Sequence, residues 1–187
     1  MWNLERGRQM AGIKEENRLE VVSIRLVREA PIMSEHRVGC PEDAIAVVGD
    51  LLCELDREVV CVINLKADGT PINCNFVSMG AVDQSLACPR ELFKSSILSN
   101  AAAMIIVHNH PSGDINPSRS DTLLTDKMLK LCGMMGIALQ DHVIIGGDNS
   151  SYFSFRKKEM LCNPHFFGCT DYKYLQFDSP VVTERGR

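Results

Sequence analysis

The sequence of 187 residues lacks the features that mark exported and membrane-spanning chains. Its eight cysteines include no Cys-x-x-Cys pair, and most lie inside apolar stretches, where a free cysteine behaves as a small buried hydrophobic residue. The longest apolar run, at 101–107, is far shorter than the ~20 residues of a membrane-spanning helix, and the N-terminus shows no apolar signal-peptide core. We therefore expect a reduced, cytoplasmic protein without a membrane segment.

The sequence also lacks an excess of positive charge. Twenty Lys and Arg residues against 24 Asp and Glu residues give a formal net charge of −4, whereas proteins that bind duplex DNA usually carry a basic excess that neutralises phosphates. The charge balance therefore argues against nucleic acid as the main partner. With 45% hydrophobic and 24% charged residues, the composition is that of a globular domain rather than of a disordered or fibrous chain.

The hydrophobic pattern predicts a mixed α/β fold. The predicted elements are a strand from Leu19 that ends before Pro31, a helix at 40–56, a nearly continuous β-branched strand at 57–65, a return strand at 72–78, a helix at 89–99, a strand at 103–107, a helix that begins at 117–118 and stops at Gly133 or Gly136, and strands at 139–145 and 152–155. A hairpin combined with strand–helix–strand units indicates a mixed sheet flanked by helices. We expect residues 1–18 to be a mobile segment, 19–160 to be the domain and 161–187 to be an appendage.

The chemically informative segment is HNHPSGDINPSRSD at 108–121. His108 and His110 are two residues apart at the end of a predicted strand, so both side chains leave the same side of the sheet. A loop with two prolines and one glycine can then bring Asp121, in the first turn of the next helix, to the same point. Two imidazoles and one carboxylate leave the fourth position of a tetrahedral zinc ion to water, as in catalytic zinc sites.

Hydrolysis at such a site also needs a general base. Zinc lowers the pKa of bound water from ~15.7 to about 7, and a carboxylate that is not a ligand can accept the proton and pass it to a leaving amine. Glu58, at the start of the predicted apolar strand, and Glu91, in the first turn of a helix, are the candidates. Glu58 is preferred because the helix dipole already accounts for an acidic residue at Glu91.

Several alternatives are open from the residues alone. Ser118 and Asp121 fit a capping box, in which both residues only begin a helix. The two histidines could be a hydrogen-bonded pair, and Glu58 could be an edge charge paired with a neighbouring basic side chain. Asp141 and His142 could orient a metal ligand or form a polar pair at a strand entrance.

The segment from about residue 57 to 155 resembles the JAB/MPN+ (JAMM) metalloprotease domain, and in particular its RadC-like branch. The shared features are an upstream glutamate followed by His-x-His-Pro, Ser, two residues and Asp, which here are Glu58, His108, His110, Pro111, Ser118 and Asp121. The resemblance implies a mixed sheet with flanking helices, related to the cytidine deaminases. It also implies that His108, His110 and Asp121 ligate Zn²⁺, that Glu58 is the acid/base, and that Ser118 holds the oxyanion or orients the water.

The function implied by this resemblance is zinc-dependent hydrolysis of an amide bond by a zinc-activated water. The substrate would be a peptide, an isopeptide or a small amide. The alternative is a non-proteolytic RadC-like factor associated with DNA repair. Full-length RadC proteins carry an N-terminal helix–hairpin–helix region of DNA-binding type, for which we expect no room in this chain, and this departure weakens the alternative. Neither the scissile bond nor an oligomeric state follows from the sequence.

Overall fold

The sheet in the computed structural model, which describes residues 37–79 and 88–161 together with a few separate residues between 22 and 34, has five strands in mixed orientation. The elements are α1 (Pro41–Cys53), β1 (Val59–Leu65), β2 (Pro71–Met79), α2 (Pro89–Leu98), β3 (Ala103–Asn109), α3 (Arg119–Met135), β4 (Ala138–Ile145) and β5 (Tyr152–Ser154). The predicted mixed α/β fold with flanking helices is confirmed.

The strand order places the two most apolar strands in the middle of the sheet. The order is β2-β1-β3-β4-β5, in which β3 and β4 are parallel and the other pairs are antiparallel. Every residue of β1 and β3 is buried, which matches their mostly apolar sequences because strands of this kind are covered on both faces. Helix α3 makes the crossover connection that a parallel pair requires.

Each face of the sheet has its own hydrophobic core. Odd-numbered residues of β1 and β3, such as Cys61 and Ile105, pack beneath α1. Even-numbered residues, such as Val62 and Ile106, pack beneath α2 and α3. Because strand side chains alternate with a period of two, His108 follows Ile106 onto the face covered by α3. The fold therefore directs this imidazole towards the helix that carries Asp121.

The predicted strand that begins at Leu19 is wrong where the structure describes it. The described residues of this segment, at 22, 23, 25–27 and 29, are not in a strand. Val22 and Val27 are 73% and 87% exposed, and none of the described strands pairs with the segment. Alternation alone does not make a strand, because a strand also needs a neighbour that completes its hydrogen bonds. The predicted mobile segment and most of the predicted appendage lie outside the described residues.

Two further properties bear on the expected environment of the chain. The six cysteines among the described residues are free thiols, of which Cys61 and Cys132 are buried and Cys88 is exposed. Within 37–79 and 88–161, no helix combines the length and the apolar character needed to cross a bilayer.

Two glycines near the end of α3 allow a test of where this helix ends. Gly136 caps the helix in the left-handed conformation with φ of 67°, and an added Cβ there would meet nothing within 4 Å. We expect Gly136→Ala to lower the free energy of unfolding by about 1 kcal/mol, from backbone strain alone. Gly133, inside α3, has equally open space, so Gly133→Ala should raise stability by up to about 1 kcal/mol. Denaturant unfolding of both variants checks this, and shifts of the same sign would contradict it.

Candidate metal centre

The end of β3 and the start of α3 bring two histidines and one aspartate together. His108 is the second-last residue of β3, and His110 follows the strand and donates its backbone N–H to the Ile145 carbonyl at 2.9 Å. The connecting loop then leads to Ser118, the N-cap of α3, whose hydroxyl accepts from the Asp121 N–H at 3.2 Å. The Asp121 carboxylate accepts from the Ser118 N–H at 2.7 Å, so the predicted capping box is present.

The capping role does not keep the Asp121 carboxylate away from the imidazoles. Asp121 Oδ1 lies 3.4 Å from His108 Nε2, and Oδ2 lies 3.6 Å from His110 Nε2. The two Nε2 atoms are 2.9 Å apart. One ligand atom from each of the three residues lies within 4.8 Å of the others. Zinc–ligand bonds of about 2.0–2.2 Å in tetrahedral geometry place ligand atoms roughly 3.3 Å apart, so the donors present fit a zinc ion.

The electrostatics of two of the three groups, His108 and Asp121, favour the forms that bind metals. Burial lowers the pKa of His108 to about 4, against the opposing charge of Asp121. Burial would raise the pKa of Asp121, but its interactions with His110, His108 and Ser118 outweigh this effect and lower that pKa. Burial also disfavours a charged His110, yet its interactions with Asp121 and the Asp114 carbonyl raise the pKa of this imidazole. At neutral pH the site therefore holds an ionised carboxylate beside a neutral His108.

The outer nitrogens of both imidazoles are engaged by neighbouring groups. His110 Nδ1 lies 2.5 Å from the Asp114 carbonyl oxygen, which can only accept, so Nδ1 carries the proton and a neutral His110 keeps its lone pair on Nε2. His108 Nδ1 lies 2.9 Å from Nε2 of His142. Partners of this kind orient imidazole ligands in metal sites. His142, left open from the sequence, thus lies directly behind His108.

Asp141 has a different role from its neighbour. Its buried carboxylate accepts from the Ser154 hydroxyl at 2.6 Å, from the Arg156 N–H at 3.0 Å and from the His142 N–H at 2.8 Å. These bonds fix the chain as it leaves β5. Asp141 and His142 therefore have different roles. Asp141 supports the edge of the sheet, and His142 is the partner of His108.

Glu58 lies at the margin of the site. It is exposed and immediately precedes β1. Val60 is paired with His108 in the antiparallel register of β1 and β3, so Glu58 is placed across from His110 where the two strands separate. Its negative charge contributes to the raised pKa of His110. The position is that of a carboxylate beside the histidines and outside the group of three.

Glu91, the other candidate base, is engaged elsewhere. Its carboxylate forms an ion pair with Lys94 at 2.6 Å, and the residue lines a groove between α2 and β2 with Asn75 and Phe76. None of the contacts described for Glu91 reaches the imidazoles. The structure therefore brings Glu58, and not Glu91, towards the candidate centre.

Asn109, the residue between the two histidines, is buried. Its side-chain oxygen accepts from the Val59 N–H at 2.7 Å, and its amide donates to the Arg57 carbonyl at 3.0 Å. These two bonds hold the backbone on both sides of Glu58. The only sequence signal was an amide residue between two histidines in a strand, where it must face the opposite side from them.

We expect Asn109→Ala to lower the free energy of unfolding by about 2–4 kcal/mol. The substitution leaves the N–H of Val59 and the carbonyl of Arg57 without their side-chain partner, and unsatisfied buried polar groups cost roughly 1–3 kcal/mol each. Asn75→Ala is the matched control, because Asn75 is exposed on β2 and should change stability by less than about 0.5 kcal/mol. Equal losses for the two variants in urea unfolding would contradict the assignment of these bonds.

The chain is similar to a known protein family and to several known proteins. Residues 38–160 match the family described as RadC-like JAB domain. The chain is 39% identical over 136 residues to a UPF0758 protein of Desulforamulus reducens, covering 72% of this chain and 59% of the relative. It is 36% identical over 157 residues to a UPF0758 protein of Clostridium perfringens, covering 82% and 68% respectively.

A UPF0758 protein of Thermotoga maritima is 42% identical over 107 residues, covering 57% of this chain and 47% of the relative. The chain therefore spans about half to two thirds of the length of the curated relatives that it matches. The names of these relatives state no activity, so they leave the chemistry of the site to be argued from its geometry.

Proposed function

The chain belongs to the RadC-like JAB domain family, as its sequence predicts, and on that premise we propose that it is a zinc-dependent metallohydrolase of JAMM type that cleaves a peptide or isopeptide bond. The observation that carries the proposal is the convergence of His108, His110 and Asp121, whose ligand atoms lie within 4.8 Å of one another. The imidazoles meet through Nε2, while their Nδ1 atoms contact other partners.

The donor set suits a catalytic zinc ion. His108 Nε2, His110 Nε2 and one oxygen of Asp121 would hold the metal, and three protein ligands leave one position open. When bound, zinc supplies an activated water and polarises the substrate carbonyl. Asp121 contributes the negative charge, and its place in the capping box holds the carboxylate at the first turn of α3.

Glu58 is the proposed general acid/base. Its exposed carboxylate stands beside His110 and is the kind of group that accepts a proton from an attacking water and returns it to a leaving amine. The Asn109 bonds to the backbone on both sides support this role, because they hold the start of β1 against β3. Proton transfer depends on such positioning, since the base must come within hydrogen-bond reach of the water.

Ser118 is proposed to hold the developing oxyanion or to orient the water. Its hydroxyl oxygen accepts from the Asp121 N–H in the capping box. A hydroxyl offers one donor and two acceptor sites, so this bond uses a lone pair and leaves the proton for donation. Capping and participation in the reaction are therefore compatible. The exposure of Ser118 beside the site supports contact with a substrate.

The proposed setting is the cytoplasm, which the free thiols of the described cysteines support. The proposed partner is a peptide, an isopeptide or a small amide that reaches the metal centre from the side of Glu58 and Ser118.

The proposal is tested by cleavage with the zinc-loaded chain. The protein is incubated with a proteome-derived peptide library and, separately, with lysine-linked isopeptides, and new amines are identified by mass spectrometry. We expect products that disappear when a chelator removes the metal and return when zinc is restored. Absence of products in both assays, from protein that holds one zinc, would contradict the peptidase proposal. Binding to duplex DNA that weakens steeply with salt, without cleavage, would instead support the non-proteolytic alternative.

A further inference from the structure

A chain of three hydrogen bonds runs behind the candidate metal centre. His108 Nδ1 lies 2.9 Å from His142 Nε2, and His142 Nδ1 lies 2.6 Å from the Thr125 hydroxyl. The Thr125 hydroxyl lies 2.6 Å from the carbonyl oxygen of Asp121. His142 and Thr125 are fully buried. The chain therefore begins at one proposed ligand and ends at the backbone of another, and it joins β3, β4 and α3.

The last acceptor of this chain favours one arrangement of its protons. A carbonyl oxygen can only accept, so the bond at the end of the chain uses the single proton of Thr125. The Thr125 oxygen then accepts from His142, which places a proton on Nδ1 of that imidazole and leaves its Nε2 as an acceptor. His108 must in turn donate from Nδ1. A neutral His108 consequently presents the lone pair of Nε2 to His110 and Asp121.

The reverse order of protons removes one bond of this chain. If His142 carried its proton on Nε2, His108 would accept at Nδ1 and direct an N–H from Nε2 towards His110 Nε2, 2.9 Å away, so that a proton would occupy the metal position. Thr125 would then donate to His142, and the Asp121 carbonyl would lose the Thr125 bond. Phe155 stacks on the His142 ring at 5.1 Å between centroids with an interplanar angle of 12°. This packing opposes a flip of the ring that would remove its nitrogens from their partners.

We propose that Thr125 and His142 are positioning residues that set the metal-binding tautomer of His108 before the metal arrives. This inference rests on the proposed function, because it assumes that His108 is a ligand. Without the Thr125 hydroxyl, Nδ1 of His142 has no partner in this chain, and the reverse order becomes the better one. His108 then offers a proton where the metal needs a lone pair, so binding must first move that proton.

Helix α3 contains the variants needed for a matched test. Thr125→Val removes the hydroxyl with little change in volume, whereas Thr125→Ser keeps a hydroxyl at the same position. Thr122 is also buried, and its hydroxyl donates to the Ser118 carbonyl four residues earlier at 3.1 Å. Thr122→Val therefore removes the same kind of helix bond without touching His142. Thermal unfolding of the metal-free variants establishes that each one folds.

The first measurement is zinc affinity, obtained by competition with a chromophoric chelator. We expect Thr125→Val to bind zinc about 10–100-fold more weakly than the unsubstituted chain, as is typical when a partner of a ligand is lost. Thr125→Ser and Thr122→Val should bind within about threefold of the unsubstituted chain. Equal affinities for Thr125→Val and Thr122→Val would overturn the inference. If Thr125→Val does not fold, Thr125→Ala provides the same test because it adds no bulk.

The second measurement is the tautomer of His108 in the metal-free protein, from long-range ¹H–¹⁵N correlation spectra. The unsubstituted chain and Thr122→Val should show the proton on Nδ1, and Thr125→Val should show it largely on Nε2. Loss of zinc affinity with an unchanged His108 tautomer would also overturn the inference. Failure of the unsubstituted chain to bind zinc would overturn the proposed function itself, so the two failures are distinguishable.

Discussion

Asp121→Ala is expected to leave the purified protein almost without zinc, against one equivalent for the unsubstituted chain. The substitution removes the only carboxylate of the proposed ligand set and leaves two imidazoles. Structural zinc sites with four ligands bind with about 10–16 kcal/mol, so one ligand accounts for roughly 3 kcal/mol, or about 10²–10³-fold in Kd. Elemental analysis after dialysis, followed by a competition titration, measures the effect.

The matched control for this prediction is Asp126→Ala. Asp126 lies on the same helix, but its carboxylate forms an ion pair with Lys130 at 2.8 Å, and it does not belong to the converging group. We expect this variant to retain one equivalent of zinc. Asp121→Ala also removes half of a capping box, which costs about 1 kcal/mol of stability, so unfolding of the metal-free proteins is measured in parallel. Full zinc content in Asp121→Ala would exclude the proposed ligand set.

Glu58→Gln is expected to lower the rate of amide cleavage by about 10²–10⁴-fold while zinc content stays at one equivalent. Glutamine has the size of glutamate and cannot accept the proton of the attacking water, and general acid/base catalysis contributes a factor of this order. Because Glu58 is exposed, stability should change by less than about 0.5 kcal/mol. The measurement is the initial rate on the best substrate from the cleavage screen, with zinc in excess.

Glu91→Gln is the control, because Glu91 is the other carboxylate that the sequence offers as a base. It is paired with Lys94, and we expect the rate to stay within about twofold. A Glu58→Gln protein that keeps a third or more of the rate would remove Glu58 from the mechanism. Loss of zinc in the same variant would make Glu58 a metal ligand, contrary to the proposed role. Together, Asp121→Ala and Glu58→Gln test the metal ligand and the general base separately.

The parts of the fold that the sequence predicted well are those with a strong local signal. β1 and β3 are mostly apolar runs, and the structure buries every residue of both. The start of α3 was indicated by Ser118 and the carboxylate three residues later, and the capping box is present. The strand predicted from Leu19 had a weaker signal, a simple alternation, and its described residues form no strand. Local pattern sets what a segment can form, whereas pairing decides whether it forms.

The residues of the candidate site also divide into those that the sequence predicted and those that it did not. Period-two alternation placed His108 and His110 on one side of the sheet, and the Ser118–Asp121 spacing placed a carboxylate at the first turn of the next helix. Asn109 and His142 could not be assigned in this way. The Asn109 side chain contacts a backbone N–H 50 residues away, and His142 contacts an imidazole 34 residues away. Partners so distant along the chain leave no mark in the spacing of neighbouring residues.

The sequence by itself determined the family, the mixed α/β class and the identity of three candidate ligands, because each depends on residues close together or on a pattern that repeats along one element. Only the tertiary structure decided which glutamate stands beside the histidines, and which side chain lies behind His108. It also decided that Asp121 caps α3 and faces the imidazoles at once. These outcomes depend on the register between β1 and β3 and on the packing of α3 against the sheet, and register and packing exist only after distant segments meet.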